Sequence, residues 1–255
     1  MKVRALITRP ATKGEQLVSK IKAAQGFALS CPFIDITAGR EYDKVGELMA
    51  KLHPNDYIIA ISDNAVNYAS ASLSQAAAHW PQGINYIAVG PTTAQCWHKY
   101  GVADALVPEN HDSEGVLKLL ANTAVADKNI IILRGNGGRE TMAKNLRVRA
   151  ANVYYCEVYQ RSVPYYEYDL LINNWQHLAI NSVIITSGEI LGNLMQSIPS
   201  AALSWITNLH FIVPSQRIAD IANAFGINHV IIADGASNNS LFNAVKQLDM
   251  QIGIS

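Results

Sequence analysis

Short, unbroken apolar runs bounded by Gly, Pro, Ser and Asn recur along this chain, at residues 3–7, 57–61, 86–89, 105–107, 129–133, 182–185, 210–213 and 230–232. Continuous rather than alternating apolarity over such lengths predicts parallel strands covered on both faces. After most of these runs the apolar period lengthens to that of a helix, over 14–24, 65–75, 92–100, 139–147 and 216–225. Several of these patterns end at a glycine (Gly26, Gly101, Gly226), which suits a left-handed cap. Strand alternating with helix predicts doubly wound parallel sheets. Two β-rich stretches, 30–36 and 153–163, fall between the strand–helix units.

The pattern is written twice. Residues 3–36 align with 129–161, and 57–120 with 183–248, both at a shift of about 125 positions, with Cys31 over Cys156. The expected fold class is therefore α/β, as two similar doubly wound parallel-sheet lobes joined by a two-stranded linker. The matched β-rich stretches serve as the crossings, with linkers near 31–36 and 156–165. One lobe is then discontinuous, 1–34 plus 166–255, and the other is the insert, 37–160. A seam between α/β lobes is a place where small molecules bind, and a two-strand hinge would let lobes close on a ligand.

Composition narrows the classes. A 49% hydrophobic content is ample for two cores. No apolar run approaches the roughly 18 residues of a membrane span, and the N-terminus reads as a strand rather than a signal peptide. Three cysteines without a C-x-x-C suggest reduced thiols and a cytoplasmic protein. With 20 basic and 20 acidic residues there is no basic excess, which argues against a nucleic-acid partner. A small anion is not excluded, because amides at helix N-termini attract anions without formal charge.

In open parallel sheets ligands lie beyond the C-terminal strand ends. The turns there are Thr8-Arg9-Pro10, Ser62-Asp63-Asn64, Gly90-Pro91-Thr92-Thr93, the run from Arg134 and Gly135 to Arg139, Thr186-Ser187-Gly188, Pro214-Ser215-Gln216-Arg217, and the run from Asp234 to Ser240. Small hydroxyls and free amides at so many turns make a cradle for carboxylates or phosphates, although each is also an ordinary helix cap. The run around Gly135 lacks the dinucleotide and P-loop spacings. The histidines show no metal-ligand spacing, and the cysteines read as small core or hinge residues. Tyr159, on the second crossing, is expected to face the seam. A phenol there can donate a hydrogen bond or a proton to a leaving hydroxyl, or it is simply a half-buried strand tyrosine.

Taken in order, TRP at Thr8, the Ser62 turn, VGPTTA from Val89, LRGNGGRE from Leu133, CEVYQR from Cys156 and TSGE from Thr186 resemble the uroporphyrinogen-III synthase family, over nearly the whole chain. The resemblance implies a cofactor-independent lyase with no metal. It implies that hydroxymethylbilane, a linear tetrapyrrole with acetate and propionate arms, loses water and closes to uroporphyrinogen III through a spiro intermediate that inverts ring D. It places the family's linker tyrosine on Tyr159, and substrate-binding positions on Thr92, Thr93, Thr186 and Ser187. Where many relatives have G-x-T-T this chain has PSQR, which shifts that role to Ser215 or Arg217. Arg9, Arg134 and Arg139 are expected either to meet propionates or to serve in structural ion pairs. The upstream bilane-forming enzyme is a conceivable partner, and nothing demands more than a monomer. The alternatives are a two-lobed cytosolic regulator that binds a small anion without chemistry, and a nucleotide-dependent transferase, which the missing phosphate fingerprints disfavour.

Overall fold

A computed structural model of the protein describes residues 1–254, side chains of Ala11 and Ile254 excepted. In chain order the elements are β1 (Arg4–Ile7), α1 (Ala11–Ala23), β2 (Phe27–Ser30), β3 (Asp35–Ala38), α2 (Val45–Met49), β4 (Tyr57–Ala60), α3 (Asp63–Gln75), β5 (Asn85–Ala88), α4 (Pro91–Lys99), α5 (Ser113–Leu119) and β6 (Asn129–Gly135). They continue with α6 (Thr141–Val148), β7 (Asn152–Ser162), α7 (Tyr168–His177), β8 (Ser182–Ile184), α8 (Gly188–Ser197), α9 (Ser200–Thr207), β9 (His210–Val213), α10 (Gln216–Ala224), β10 (His229–Ile232) and α11 (Asn238–Ile254).

The chain divides into two compact units, residues 1–35 with 162–255, and residues 36–161. The first holds a sheet in the order β10-β9-β8-β1-β2, and the second a sheet in the order β3-β7-β6-β4-β5. Each sheet is covered on both faces, which is why its strands read as unbroken apolar runs. In β1, Leu6 joins the cluster packed with α8 and α10, whereas Ala5 and Ile7 join the one formed with α1 and α11. In β4, Ile58 and Ala60 face α3 and Trp97, while Tyr57 and Ile59 face α5 and α6. Each fully buried Ile or Leu contributes about 1.5–3 kcal/mol.

The duplication survives residue by residue. Arg4 and Asn129, Phe27 and Asn152, Tyr57 and Ser182, and Asn85 and His210 open matched strands, each pair 125 positions apart. Matched strands hold matched places in the two sheets. Yet β1 and β2 sit with β8, β9 and β10 from the second repeat, and β6 and β7 sit with β4 and β5 from the first. Each unit is assembled from half of one repeat and the complementary half of the other. A small device is repeated with the strands. The Asp56 carboxylate accepts the backbone N–H of Asn129 at 3.0 Å, joining β4 to β6, and the Asn181 side-chain Oδ1 accepts that of Arg4 at 2.8 Å, joining β8 to β1.

Several expectations are corrected. Residues 105–107 form no strand. Leu106 makes one bridge to Ile87, and Pro108, lacking an N–H, ends the pairing. Arg134 and Gly135 belong to strand β6 rather than to the turn after it, so the turn begins at Asn136 and the helix at Thr141. Gly101 and Gly226 do adopt left-handed caps, at φ +84° and +77°, but before Gly26 it is Gln25 that does so, at φ +58°. Gly26 is required for space instead, because a Cβ there would lie 2.7 Å from Ile21 Cγ2.

Candidate active site

In the unit formed by residues 36–161, the C-terminal ends of β4, β6 and β7 bring together Ser62, Gly135, Tyr159 and Arg161. Ser62 caps α3, its Oγ accepting the Ala65 N–H at 3.2 Å. The same Oγ lies 3.2 Å from Tyr159 Oη. Arg161 Nη2 donates to Tyr159 Oη at 3.4 Å.

Tyr159 is only 1% exposed, more deeply buried than a half-buried strand tyrosine: the ring is a core group, 6.0 Å from the Tyr68 ring, and its hydroxyl reaches the turn. The reason lies in β6. A register shift between Arg134 and Gly135 sets Gly135 opposite Tyr159, and the ring folds over the glycine. A Cβ on Gly135 would fall 2.6 Å from Tyr159 Cε2. Asn136 fixes the following turn by a reciprocal pair of bonds, Nδ2 donating to the Arg161 carbonyl at 3.1 Å and Oδ1 accepting its N–H at 2.7 Å.

Arg134 points to the other face of the same sheet. It is 4% exposed, its guanidinium carbon lies 4.4 Å from the Tyr155 ring centre, and its Nε donates to the Gly135 carbonyl at 3.2 Å. Arg139 is exposed and lies 3.7 Å from Glu114. On α4, Thr92 is exposed in the first turn, whereas Thr93 is buried at 4% exposure.

In the unit formed by residues 1–35 and 162–255, the Thr8 hydroxyl is fully buried and donates to the Ile184 carbonyl at 2.6 Å, so it serves the β1–β8 joint. Arg9 is 7% exposed and donates through Nη1 to Asn238 Oδ1 at 2.6 Å. Burial lowers the pKa of its guanidinium from the ordinary value. Ser187 caps α8 by accepting the Ile190 N–H at 3.2 Å and is the repeat partner of Ser62. Thr186 and Ser215 are half-buried and Arg217 is exposed; the Ser215 side chain makes no capping bond to α10.

The thiols at the repeat-related positions are held neutral. Burial pushes Cys31 up to about 11 and, with Glu41 and Glu157 nearby, Cys156 up to about 12. Among the described residues no group of three or more His, Cys, Asp and Glu could hold a metal ion, and no helix is long and apolar enough to cross a membrane. Arg161, Asn136 and Tyr155 were not singled out by the sequence, because their partners lie across strand pairs whose register the chain pattern does not reveal.

A family model described as uroporphyrinogen-III synthase HemD matches residues 15–243. The uroporphyrinogen-III synthase of Salmonella typhimurium is 36% identical over 243 residues, covering 94% of this chain and 99% of that protein. That of Escherichia coli is 34% identical with the same coverage. Among solved structures, a mutant uroporphyrinogen III synthase from Thermus thermophilus superposes with a TM-score of 0.64 at 12% identity, covering 99% of this chain and all of that one. The Helicobacter pylori uroporphyrinogen-III synthetase gives 0.57 at 15% identity, covering 96% and 99%. The structures agree in fold and the sequences in family: the chain belongs to the uroporphyrinogen-III synthase family.

Proposed function

We propose that this protein cyclises hydroxymethylbilane to uroporphyrinogen III, with inversion of ring D and loss of water. The observation that carries the reading is identity of 34–36% to two uroporphyrinogen-III synthases along almost their whole length. The arrangement around Ser62 fits the first step.

A serine hydroxyl offers one proton and two lone pairs. Ser62 Oγ accepts from Ala65 N–H and lies within bonding distance of Tyr159 Oη, so it can accept from both while donating its own proton outward. As the substrate C–O bond breaks, the leaving hydroxyl takes the Ser62 proton, Ser62 takes the Tyr159 proton, and the phenolate is stabilised by Arg161 at 3.4 Å. Water departs and ring A, keeping its N–H, is left as an azafulvenium cation, whose charge balances the phenolate. The substituted α-carbon of ring D attacks it to give the spiro species, which fragments and recloses with ring D inverted. The proton lost on rearomatisation returns through Ser62 to Tyr159, so the enzyme ends as it began. Such positioned proton transfer is worth about 10²–10⁴-fold.

Unaided closure of the bilane gives the symmetric type I isomer, so the larger task is orientation, worth up to about 7–11 kcal/mol in favourable cases. Hydroxyls and amides at Thr92, Thr186, Ser187 and Ser215, with Arg217, are the donors assigned to hold the carboxylate arms. The protein is read as a cytoplasmic monomer, with the upstream bilane-forming enzyme as its candidate partner. The test is to generate hydroxymethylbilane in situ, add the protein, oxidise, and separate the isomers by chromatography. Type III is expected; product that stays type I refutes the reading.

A further inference from the structure

Four buried side-chain polar atoms among the described residues lack a partner in good hydrogen-bond geometry: Arg9 Nε, Ser30 Oγ, Trp97 Nε1 and Tyr155 Oη, the last lying beside the Arg134 guanidinium. Trp97 belongs to an aromatic cluster with Trp80 and Tyr86. The other three fall on one place in the repeat. Arg9 and Arg134 are 125 positions apart, and so are Ser30 and Tyr155. The register agrees, Ile7 lying opposite Ser30 and Ile132 opposite Tyr155, with the arginine two residues further along in each case.

Both arginines are buried, and neither is paired with a buried carboxylate. Arg9 has Asn238 as its side-chain partner, and Arg134 approaches only the half-exposed Glu140, at 3.8 Å. Buried cations are ordinarily paired, and buried hydroxyls ordinarily bonded. Each arginine also has a glycine against it. A Cβ on Gly14 would lie 3.2 Å from Ser30 Oγ and 3.6 Å from Arg9 Cγ, and one on Gly138 would lie 3.1 Å from Arg134 Nη2. Beside Arg134 and Tyr155 opens a cavity of about 340 Å³, lined also by Gly137, Gly138 and Ser113.

We propose that Arg134 with Tyr155, and Arg9 with Ser30, form two repeat-related subsites, one in each unit, that each bind a carboxylate arm of the substrate. The proposal rests on the tetrapyrrole reading above for the identity of the ligand. The guanidinium supplies a charged fork and the idle hydroxyl one further donor, a set that suits a carboxylate. What the two repeats share here is the hydroxyl and the guanidinium; the frames carrying the hydroxyl, a serine and a tyrosine, differ. A hydroxyl kept only for packing would have no reason to stay unbonded in both.

The test uses full-length Tyr155→Phe and Ser30→Ala. Tyr155→Phe keeps the ring that Arg134 covers. Two quantities are read: the thermal midpoint without ligand, and anaerobic equilibrium binding of uroporphyrinogen III. Losing an unbonded buried hydroxyl should leave the midpoint unchanged or raise it, while losing a bond to a carboxylate should weaken binding about 10-fold. Arg134→Lys, which lacks the fork, should weaken binding at least as much. Unchanged binding in Tyr155→Phe and Ser30→Ala overturns the proposal. The two readings fail separately. Type III product with variants that bind as wild type removes the subsites and leaves the catalysis. Type I product with hydroxyl-dependent binding removes the catalysis and leaves the subsites.

Discussion

Replacing Gly135 with Ala tests whether the hydroxyl of Tyr159 is aimed by the backbone beneath its ring. The added methyl would lie 2.6 Å from Cε2, 2.7 Å from Cζ and 3.1 Å from Cδ2 of that ring. Carbon atoms are comfortable at about 3.5–4.0 Å, so the ring must lift by about 1 Å. It has no free direction, being 1% exposed and packed near Tyr68. Overpacking of this kind costs about 1–3 kcal/mol, read as a fall in thermal midpoint of about 2–4 °C per kcal/mol. The same displacement carries Oη away from Ser62, 3.2 Å distant, and a misplacement of about 1 Å at a reacting group costs about 10²-fold in rate. Tyr159→Phe is the control. It keeps the ring, loses the hydroxyl's two hydrogen bonds, to Ser62 and Arg161, each worth about 1 kcal/mol, and should slow type III formation about 10–100-fold. The double variant Gly135→Ala with Tyr159→Leu should recover part of the stability that Gly135→Ala loses, because the two changes share one contact. The assay is the initial rate of type III formation beside a thermal melt. A Gly135→Ala protein with wild-type midpoint and wild-type rate would refute both the packing and the role of the hydroxyl.

Asp56 lies at the N-terminal end of β4, away from the candidate site, and its variants should alter stability with little effect on the rate per folded molecule. Burial disfavours its charge, but N–H donors from His53 and Asn129 outweigh burial and hold the carboxyl below the usual range. A depressed carboxyl contributes stability that is complete above the ordinary Asp value of about 3.9 and is lost as pH falls through the lower folded value. Asp56→Asn should therefore cost about 1.5–3 kcal/mol at neutral pH and flatten the acid limb of a melting-point-versus-pH curve; an unaltered limb would contradict this. Cys31 and Cys156, raised to about 11 and 12, should react with a thiol reagent at pH 8 only as fast as the protein opens. Rapid labelling of the native protein would show the thiols to be reactive groups.

The central strands were legible because strands buried on both faces leave no polar positions: β4 is buried at every residue. The repeat was legible because both copies keep the same spacing. What the chain pattern hid was register. A shift between Arg134 and Gly135 turns a glycine expected in a turn into the floor beneath Tyr159. Tyr155 reads as one more strand tyrosine, and only the pairing of Ile132 with it, mirrored by Ile7 with Ser30, sets its hydroxyl beside an arginine. Conversely, Thr8 reads as a ligand position but its hydroxyl is spent on Ile184, a partner 176 residues away. Local pattern reports burial and period; it is silent on which distant strand a polar atom will meet.

The reciprocal sharing of half-repeats has a consequence for folding. A chain cut after residue 125 separates the repeats, but neither fragment holds a complete sheet. In the first, β1 loses its neighbour β8, and Ala5, Leu6 and Ile7, all 0% exposed in the whole protein, lose one face of their burial. At up to about 1.5–3 kcal/mol each for Leu6 and Ile7, this loss alone is a substantial fraction of the stability of a domain. The segment 36–161 instead carries β4, β5 and β6 with nearly all of β7 and β3, and both core clusters of its unit. Fragment 36–161 should show α/β circular dichroism and a cooperative melt, while monomeric 1–125 should show neither, although the two are nearly equal in length. A cooperative melt from monomeric 1–125 would mean that each repeat folds on its own and that the sheets are not built by exchange.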